Sequence, residues 1–213
     1  MNLKCLFTHI LNKIKTLNNN VIAFFDFDGT ITKKDSFLEF LKYSKGKIEF
    51  IKVLIILSPL IISFFFNKTT NQSLKEAFLR YYFNNWEFDK FKTIAENYSI
   101  NEIDKIIKPK ALKRIKWHQN NGHKVVVVSA SIESWLKIWC QKNNLKLIAT
   151  KLEKKGNKIT GKFDGKNCYG PEKVIRIKES YNLQEFTKIY SYGNSSGDFE
   201  MLKIANNKYF KIF

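Results

Sequence analysis

Two carboxylates one residue apart, Asp26 and Asp28, follow the short apolar run Val21-Ile22-Ala23-Phe24-Phe25. An uninterrupted apolar run of this length reads as a strand covered on both faces. Alternate side chains of an extended chain point the same way, so Asp26 and Asp28 share one side while Phe27 turns into the core. Gly29 then permits a sharp turn and exposes its N–H to a ligand. Neighbouring carboxylates repel unless a cation or a shared proton stabilises them. With no Cys or His close by, an oxygen-rich site suits Mg²⁺. A solvated turn at a strand end would explain Gly29, but not two acids in register behind an aromatic run. The segment therefore points to chemistry.

Three further segments suggest the same site. Lys124-Val125-Val126-Val127-Val128-Ser129 is a second apolar strand ending in a hydroxyl. Gly170-Pro171-Glu172-Lys173 sets a lysine just inside a helix begun by proline. Ile189-Tyr190-Ser191-Tyr192-Gly193-Asn194-Ser195-Ser196-Gly197-Asp198 is a third strand running into a small-residue loop that ends in an acid. Taken in order with Phe24-Phe25-Asp26-Phe27-Asp28-Gly29-Thr30, they resemble the four motifs of the haloacid dehalogenase superfamily, most of whose members are aspartate-nucleophile phosphatases. The resemblance spans Val21 to the C-terminus. It implies a Rossmann-like α/β core, a parallel sheet with an inserted α-helical cap.

The resemblance also assigns roles that the residue types can fill. Phosphoryl transfer needs positioning and cationic stabilisation above all. Asp26 is expected to attack phosphorus and form an aspartyl-phosphate. Asp28 is expected to protonate the leaving oxygen and then deprotonate water. Gly29, Ser129, Ala130 and Lys173 are expected to bind the phosphate. Ala130 and Ser131 would open a helix with free N–H groups, and the Lys173 ammonium would face the anion beside a helix N-terminus. Each supporting motif also has a plain alternative: Ser129 as a helix cap, Lys173 as a surface lysine, the Gly193–Gly197 loop without a ligand.

The implied metal site comprises the Asp26 carboxylate, the Asp28 carbonyl, Asn194 and, through a bound water, Asp198. Asn194 departs from the family pattern, where aspartate is usual. An amide oxygen coordinates Mg²⁺ without adding charge, so weaker metal binding is expected.

Composition bounds the rest. The chain of 213 residues is long enough for one domain with an insertion. Its net charge of +18 suits nucleic acid, an anionic membrane or a phosphorylated substrate. The lysines are strewn over every segment and no nucleic-acid-binding motif accompanies them, which disfavours nucleic acid. Cys5, Cys140 and Cys168 lack metal-ligand spacing and fit a reduced, cytoplasmic compartment. His9, His118 and His123 show no ligand spacing and are expected at surfaces. Trp135 and Trp139, one helical turn apart, read as core.

Along the chain, Leu3, Leu6, Phe7, Ile10, Ile14 and Leu17 form a helical stripe, which predicts an amphipathic helix over residues 1–20 and not a secretory signal. The core is expected over 21–32 and 109–213, with a hairpin turn at Lys154-Lys155-Gly156-Asn157. Residues 33–108 read as the helical cap, the arrangement of the subfamily that includes phosphoserine phosphatase. Within the cap, 53–66 is an uncharged apolar run, too short for the ~17–25 residues of a spanning helix and kinked by Pro59. It is expected either to pack inside the cap or to lie on a membrane face. An apolar cap segment followed by Cys168-Tyr169-Gly170-Pro171-Glu172-Lys173 resembles the phosphatidylglycerophosphatase C-like group, which acts on a membrane lipid. Asp35 occupies the position where phosphoserine phosphatase carries a substrate-binding glutamate. Arg80 is a second candidate for substrate contact.

The expected function is a Mg²⁺-dependent phosphomonoesterase, membrane-associated and acting on a lipid phosphate. A soluble phosphatase for a small phosphorylated metabolite is the alternative. A non-catalytic membrane-binding protein on the same fold is a third reading, motivated by Asn194.

Overall fold

A computed structural model describes residues 20–213. The amphipathic helix expected over 1–20 therefore lies, apart from Asn20, outside the described residues.

Strand β1 (Val21–Phe25) is the centre of the fold. It pairs in parallel with β2 (Lys124–Ile132) on one side and with β5 (Lys188–Gly193) on the other. Strand β3 (Lys146–Lys155) extends the sheet in parallel beyond β2, and β6 (Asn207–Phe210) extends it beyond β5. One edge strand, β4 (Lys158–Asp164), runs antiparallel to β3 across the Gly156-Asn157 turn. The order is β4-β3-β2-β1-β5-β6.

The apolar run of β1 is unbroken because both faces are covered. Ala23 and Phe25 join one cluster with Ile115, Trp135, Leu136 and Trp139. Ile22 and Phe24 join the opposite one with Ile177 and Met201. Helices α6 (Pro109–Asn120) and α7 (Glu133–Lys142) supply the first face. Helices α8 (Pro171–Ser180) and α9 (Phe199–Lys203) supply the second.

Between β1 and α6 lie five helices: α1 (Ser36–Ile56), α2 (Ser58–Phe65), α3 (Asn71–Phe83), α4 (Phe88–Asn101) and α5 (Ile103–Ile106). Helix α1 is broken at Gly46, where φ is 84°, and α2 leaves α1 at a 65° bend next to Pro59. No single described helix is long and apolar enough to cross a membrane; the bent α1–α2 pair meets that composition only jointly. The insert has no separate core. Phe37, Phe40, Phe78, Tyr82 and Phe91 belong to the same apolar cluster as Ala23 and Phe25, and the Phe40 ring stacks on Trp135 at 4.4 Å.

The histidine expectation is overturned. His118 is fully buried. Its Nε2 lies 2.8 Å from the Tyr192 hydroxyl and its Nδ1 2.8 Å from His123 Nδ1. The cause is the turn at Gly122, whose φ of 72° folds His123 back against the last turn of α6. Tyr192 reaches the same point from β5, and its ring stacks on Phe25. Burial, aided by the neighbouring His123 and Arg114 charges, pushes the His118 pKa down to about 3.

A base with a depressed folded-state pKa contributes stability that is fully present above its unfolded value, about 6.5, and is lost as pH falls below it. Denaturant unfolding between about pH 5 and pH 7.5 should therefore show stability rising with pH. The slope should exceed that of His118→Leu by up to ~1.4 kcal/mol per pH unit. Equal slopes in the two proteins would contradict this assignment.

Candidate active site

The four segments meet beyond the carboxyl ends of β1, β2 and β5, where ligands bind in open parallel sheets. Asp26 and Asp28 keep extended backbone angles (φ −65°, ψ 158° and φ −73°, ψ 119°), and Phe27 between them is buried against Trp139. The alternation read from the sequence thus continues past the end of the strand. Gly29 follows at φ 80°, and a Cβ there would collide with the Asn194 side chain. Contrary to the expectation of an N–H open to a ligand, its N–H donates to Thr32 Oγ1 at 3.2 Å. Its carbonyl accepts from Lys108 Nζ at 2.5 Å.

Asp26 is almost fully enclosed. Lys173 Nζ donates to its Oδ1 at 2.7 Å and Thr30 Oγ1 to its Oδ2 at 2.8 Å. The same ammonium donates to Asp198 Oδ1 at 2.7 Å. Lys173 is only 1 % exposed, so the surface alternative for this lysine does not hold. Burial alone would lower its pKa, but Asp26 and Asp198 hold it above the usual lysine range. Burial raises the Asp26 pKa against the pull of Lys173. Burial works on Asp198 in the same direction, yet Lys173 and the loop N–H groups keep it below the usual carboxylate range.

Asp198 Oδ2 accepts the N–H groups of Asn194 and Ser195 and the Ser195 hydroxyl at 2.9–3.0 Å. Both of its oxygens are thereby engaged in ordering the loop and the lysine. Asn194 turns inward instead. Its Oδ1 lies 3.2 Å from Thr30 Oγ1, whose proton goes to Asp26, 3.2 Å from the Asp28 carbonyl and 3.3 Å from Asp26 Oδ2. Oxygens converging in this way fit a hard cation; a half-turn of the amide would place an N–H among them instead.

Asp28 has different partners. Ser36 N–H, at the start of α1, donates to its Oδ1 at 2.7 Å, and the Ser131 hydroxyl to its Oδ2 at 2.5 Å. Burial, reinforced by the Asp35 charge, raises its pKa to about 7. Asp35 is the N-cap of α1, accepting the Leu38 N–H at 3.0 Å.

Ala130 and Ser131 correct a second expectation, because β2 continues to Ile132 and α7 begins at Glu133. The pairing of β2 with β3 shifts register between Ser129 and Ile132, which leaves these residues in a bulge at the site instead of a helix start. Ser129 is fully buried, and its Oγ accepts the Ser131 N–H at 3.0 Å. The Ala130 carbonyl accepts from Lys75 Nζ at 3.0 Å, a contact from α3 in the insert. Arg80 is not gathered into the site: it is exposed and sits where α3 crosses Gly161 of β4.

Sequence reasoning missed Ser36, Lys75 and Lys108, and gave Thr30 and Ser131 no such role. Thr30 and Ser131 could have been found from their places inside the motifs. Nothing separates Lys75 or Lys108 from the other lysines of so basic a chain.

Residues 23–203 match the family model of haloacid dehalogenase-like hydrolases. The chain belongs to this family. Protein CicA of Caulobacter vibrioides is 32% identical to this family member over 195 residues, covering 91% of this chain and 86% of CicA. A Bordetella pertussis Tohama I protein of unknown function superposes with a TM-score of 0.76 at 19% identity, over 88% of this chain and 87% of that one. A substrate-bound phosphoserine phosphatase gives a TM-score of 0.60 at 18% identity, over 90% and 85% of the two chains. At these identities the solved structures share the haloacid dehalogenase-like fold with this hydrolase.

Removing Lys173 from its buried position would leave two carboxylates without their counter-charge. Lys173→Met should therefore cost roughly 3–5 kcal/mol in a urea titration. A cost below 1 kcal/mol would mean that the triad is solvated.

Proposed function

We propose that this hydrolase is a Mg²⁺-dependent phosphomonoesterase that works through an aspartyl-phosphate on Asp26 and acts on a lipid phosphate at an anionic membrane face. The observation that carries the catalytic reading is the pairing of two unlike carboxylates. Asp26 is held by a buried lysine, and Asp28, two residues on, has a pKa near neutrality.

In the first half-reaction an Asp26 oxygen bonds to phosphorus as the ester P–O bond breaks, and Asp28 gives its proton to the departing alkoxide. In the second, Asp28 takes a proton from water, whose oxygen attacks phosphorus and frees Asp26 and inorganic phosphate. The Lys173 ammonium lies beside the nucleophile, where it offsets charge on the transferring group. Ser129 accepts the Ser131 N–H but keeps its own hydroxyl proton available for a phosphoryl oxygen. The Asp26 carboxylate, the Asp28 carbonyl and Asn194 would hold Mg²⁺, in a loop ordered by Asp198. When bound, the ion supplies positive charge against the phosphoryl oxygens. A phosphorylated substrate also suits the basic surface.

Asp26→Asn should abolish phosphate release from an aryl phosphate while the protein stays folded. Asn194→Asp should lower the Mg²⁺ concentration needed for half-maximal activity, and Asn194→Leu should raise it. Activity retained in Asp26→Asn would place the reaction at a different site, and wild-type protein inactive on the aryl phosphate would favour the non-catalytic reading. Identical Mg²⁺ dependence in the Asn194 series would remove that residue from the metal site.

The membrane reading rests on the outer face of α1 and α2. Ile48, Ile51, Ile55, Ile56, Ile62, Phe65 and Phe66 are each 55–76% exposed. Ile48, Ile51 and Ile55 recur at helical spacing on α1, and Ile62, Phe65 and Phe66 at the same spacing on α2 and its end. An exposed apolar band of this kind marks an interaction site. The charges flanking it include Lys45, Lys47, Lys52 and Lys68, which favours anionic headgroups. Each large apolar side chain would gain about 1.5–3 kcal/mol on full burial. Ile61 packs against the core and is not part of this face.

Ile55→Asp with Phe65→Asp should release the protein from phosphatidylglycerol vesicles and depress lipid-phosphate hydrolysis, with para-nitrophenyl phosphate hydrolysis retained. Wild-type protein that stays free of vesicles would instead favour the soluble small-metabolite phosphatase.

A further inference from the structure

We infer that Ser131 and the first turn of α1 are positioning elements that grip the Asp28 carboxyl from opposite sides and aim it at the leaving group. This inference rests on the reading of Asp28 as the proton donor.

The grip is built from two parts of the chain that touch only when the insert is docked on the sheet. From the insert, Ser36 is the first residue of α1, and its N–H is one of the helix N-terminal donors with no partner inside the helix. Asp35, the N-cap, takes the Leu38 N–H and leaves the Ser36 N–H for Asp28 Oδ1 at 2.7 Å. From the sheet, the bulged end of β2 presents the Ser131 hydroxyl to Asp28 Oδ2 at 2.5 Å. The two serine hydroxyls lie 3.0 Å apart, and both residues are fully buried. Both carboxyl oxygens are therefore fixed, one by each side.

The chemistry of the grip suits a group that donates and then accepts a proton. A hydroxyl is both donor and acceptor and can rotate to suit its partner. Ser131 can donate to the Asp28 carboxylate while accepting from Ser36. It can also accept from the Asp28 carboxylic acid while donating to Ser36. The heavy atoms keep their places in either case. An alanine at 131 would leave Oδ2 without its partner and the carboxyl held at one oxygen only.

The test uses the purified chain, two substrates and five variants. General acid assistance matters most when the leaving group is poor, so an alkyl phosphate reports on the aim of Asp28, and para-nitrophenyl phosphate serves as the comparison. Ser131→Ala should lower kcat/KM for the alkyl phosphate at least about tenfold more than for para-nitrophenyl phosphate. Ser131→Thr, which retains the hydroxyl, should restore most of the difference.

Ser36→Pro deletes the donor N–H at a helix position that favours proline. Asp35, at φ −71° and ψ 116°, already has the backbone angles of a residue before proline. Ser36→Pro should discriminate against the alkyl phosphate more strongly than Ser36→Ala. Should Ser36→Pro fail to fold, the Ser131 pair still decides the question.

A loss in Ser131→Ala that is equal for both substrates, or that threonine does not rescue, would overturn the inference. Asp28→Asn identifies which layer has failed. If it discriminates between the substrates and Ser131→Ala does not, the grip is wrong and the acid stands. If Asp28→Asn itself does not discriminate, both fall.

Discussion

A buried lysine between two buried carboxylates is the constraint on which the rest depends. Lys173 cannot be charged in the interior without Asp26 and Asp198, and neither acid would stay ionised there without Lys173. Satisfying all three requires the end of β1, the start of α8 and the loop after β5 to converge within hydrogen-bonding distance. Parallel pairing of β1 with β5 brings two of these together, and Pro171 starts the helix that delivers the third. The loop is then drawn in by Asp198, which collects the Asn194 and Ser195 N–H groups and leaves the Asn194 amide facing Asp26.

This arrangement places Asp26 where water is scarce, with the insert packed over it. Asp26, Ser129, Lys173 and Asp198 are all nearly inaccessible, and the insert is clamped above them. Its α3 helix bonds Ala130 through Lys75, Asn167 through Asn71 and Gln72, and Phe163 through Glu76. Under the proposed function, a phosphomonoester would have to reach Asp26 past these contacts. The same helix carries Phe78 and Tyr82 into the aromatic cluster shared with Phe40 and Trp135, so polar contacts and packing hold it together.

The strands, the four motifs and the helical insert were legible because each depends on local pattern. An apolar run of strand length, a proline at a helix start and a glycine at a positive φ are written in neighbouring residues. The antiparallel β3–β4 edge was legible for the same reason, since its turn is Gly-Asn. Partners distant in sequence were less legible. His118 read as a surface residue because its burial depends on Tyr192, 74 positions away. Ala130 and Ser131 read as a helix start because a bulge depends on the register with β3, which a single strand does not record. The contacts of Lys75 and Lys108 are made across the fold, and in a chain so rich in lysine their type carried no signal.

The central claim is that Asp26 forms a covalent bond to phosphorus, and trapping that bond tests it most directly. The protein would be mixed with Mg²⁺ and a phosphomonoester radiolabelled in its phosphate, quenched in acid within the turnover time, and mapped by peptide digestion. Borohydride treatment of the quenched protein would convert an aspartyl-phosphate to homoserine. The account predicts label on the peptide containing Asp26 in the untreated portion, and homoserine at that position, with the label released, in the borohydride-treated portion. Phosphate released at full rate with no label on that peptide, or with label on another residue, would contradict it.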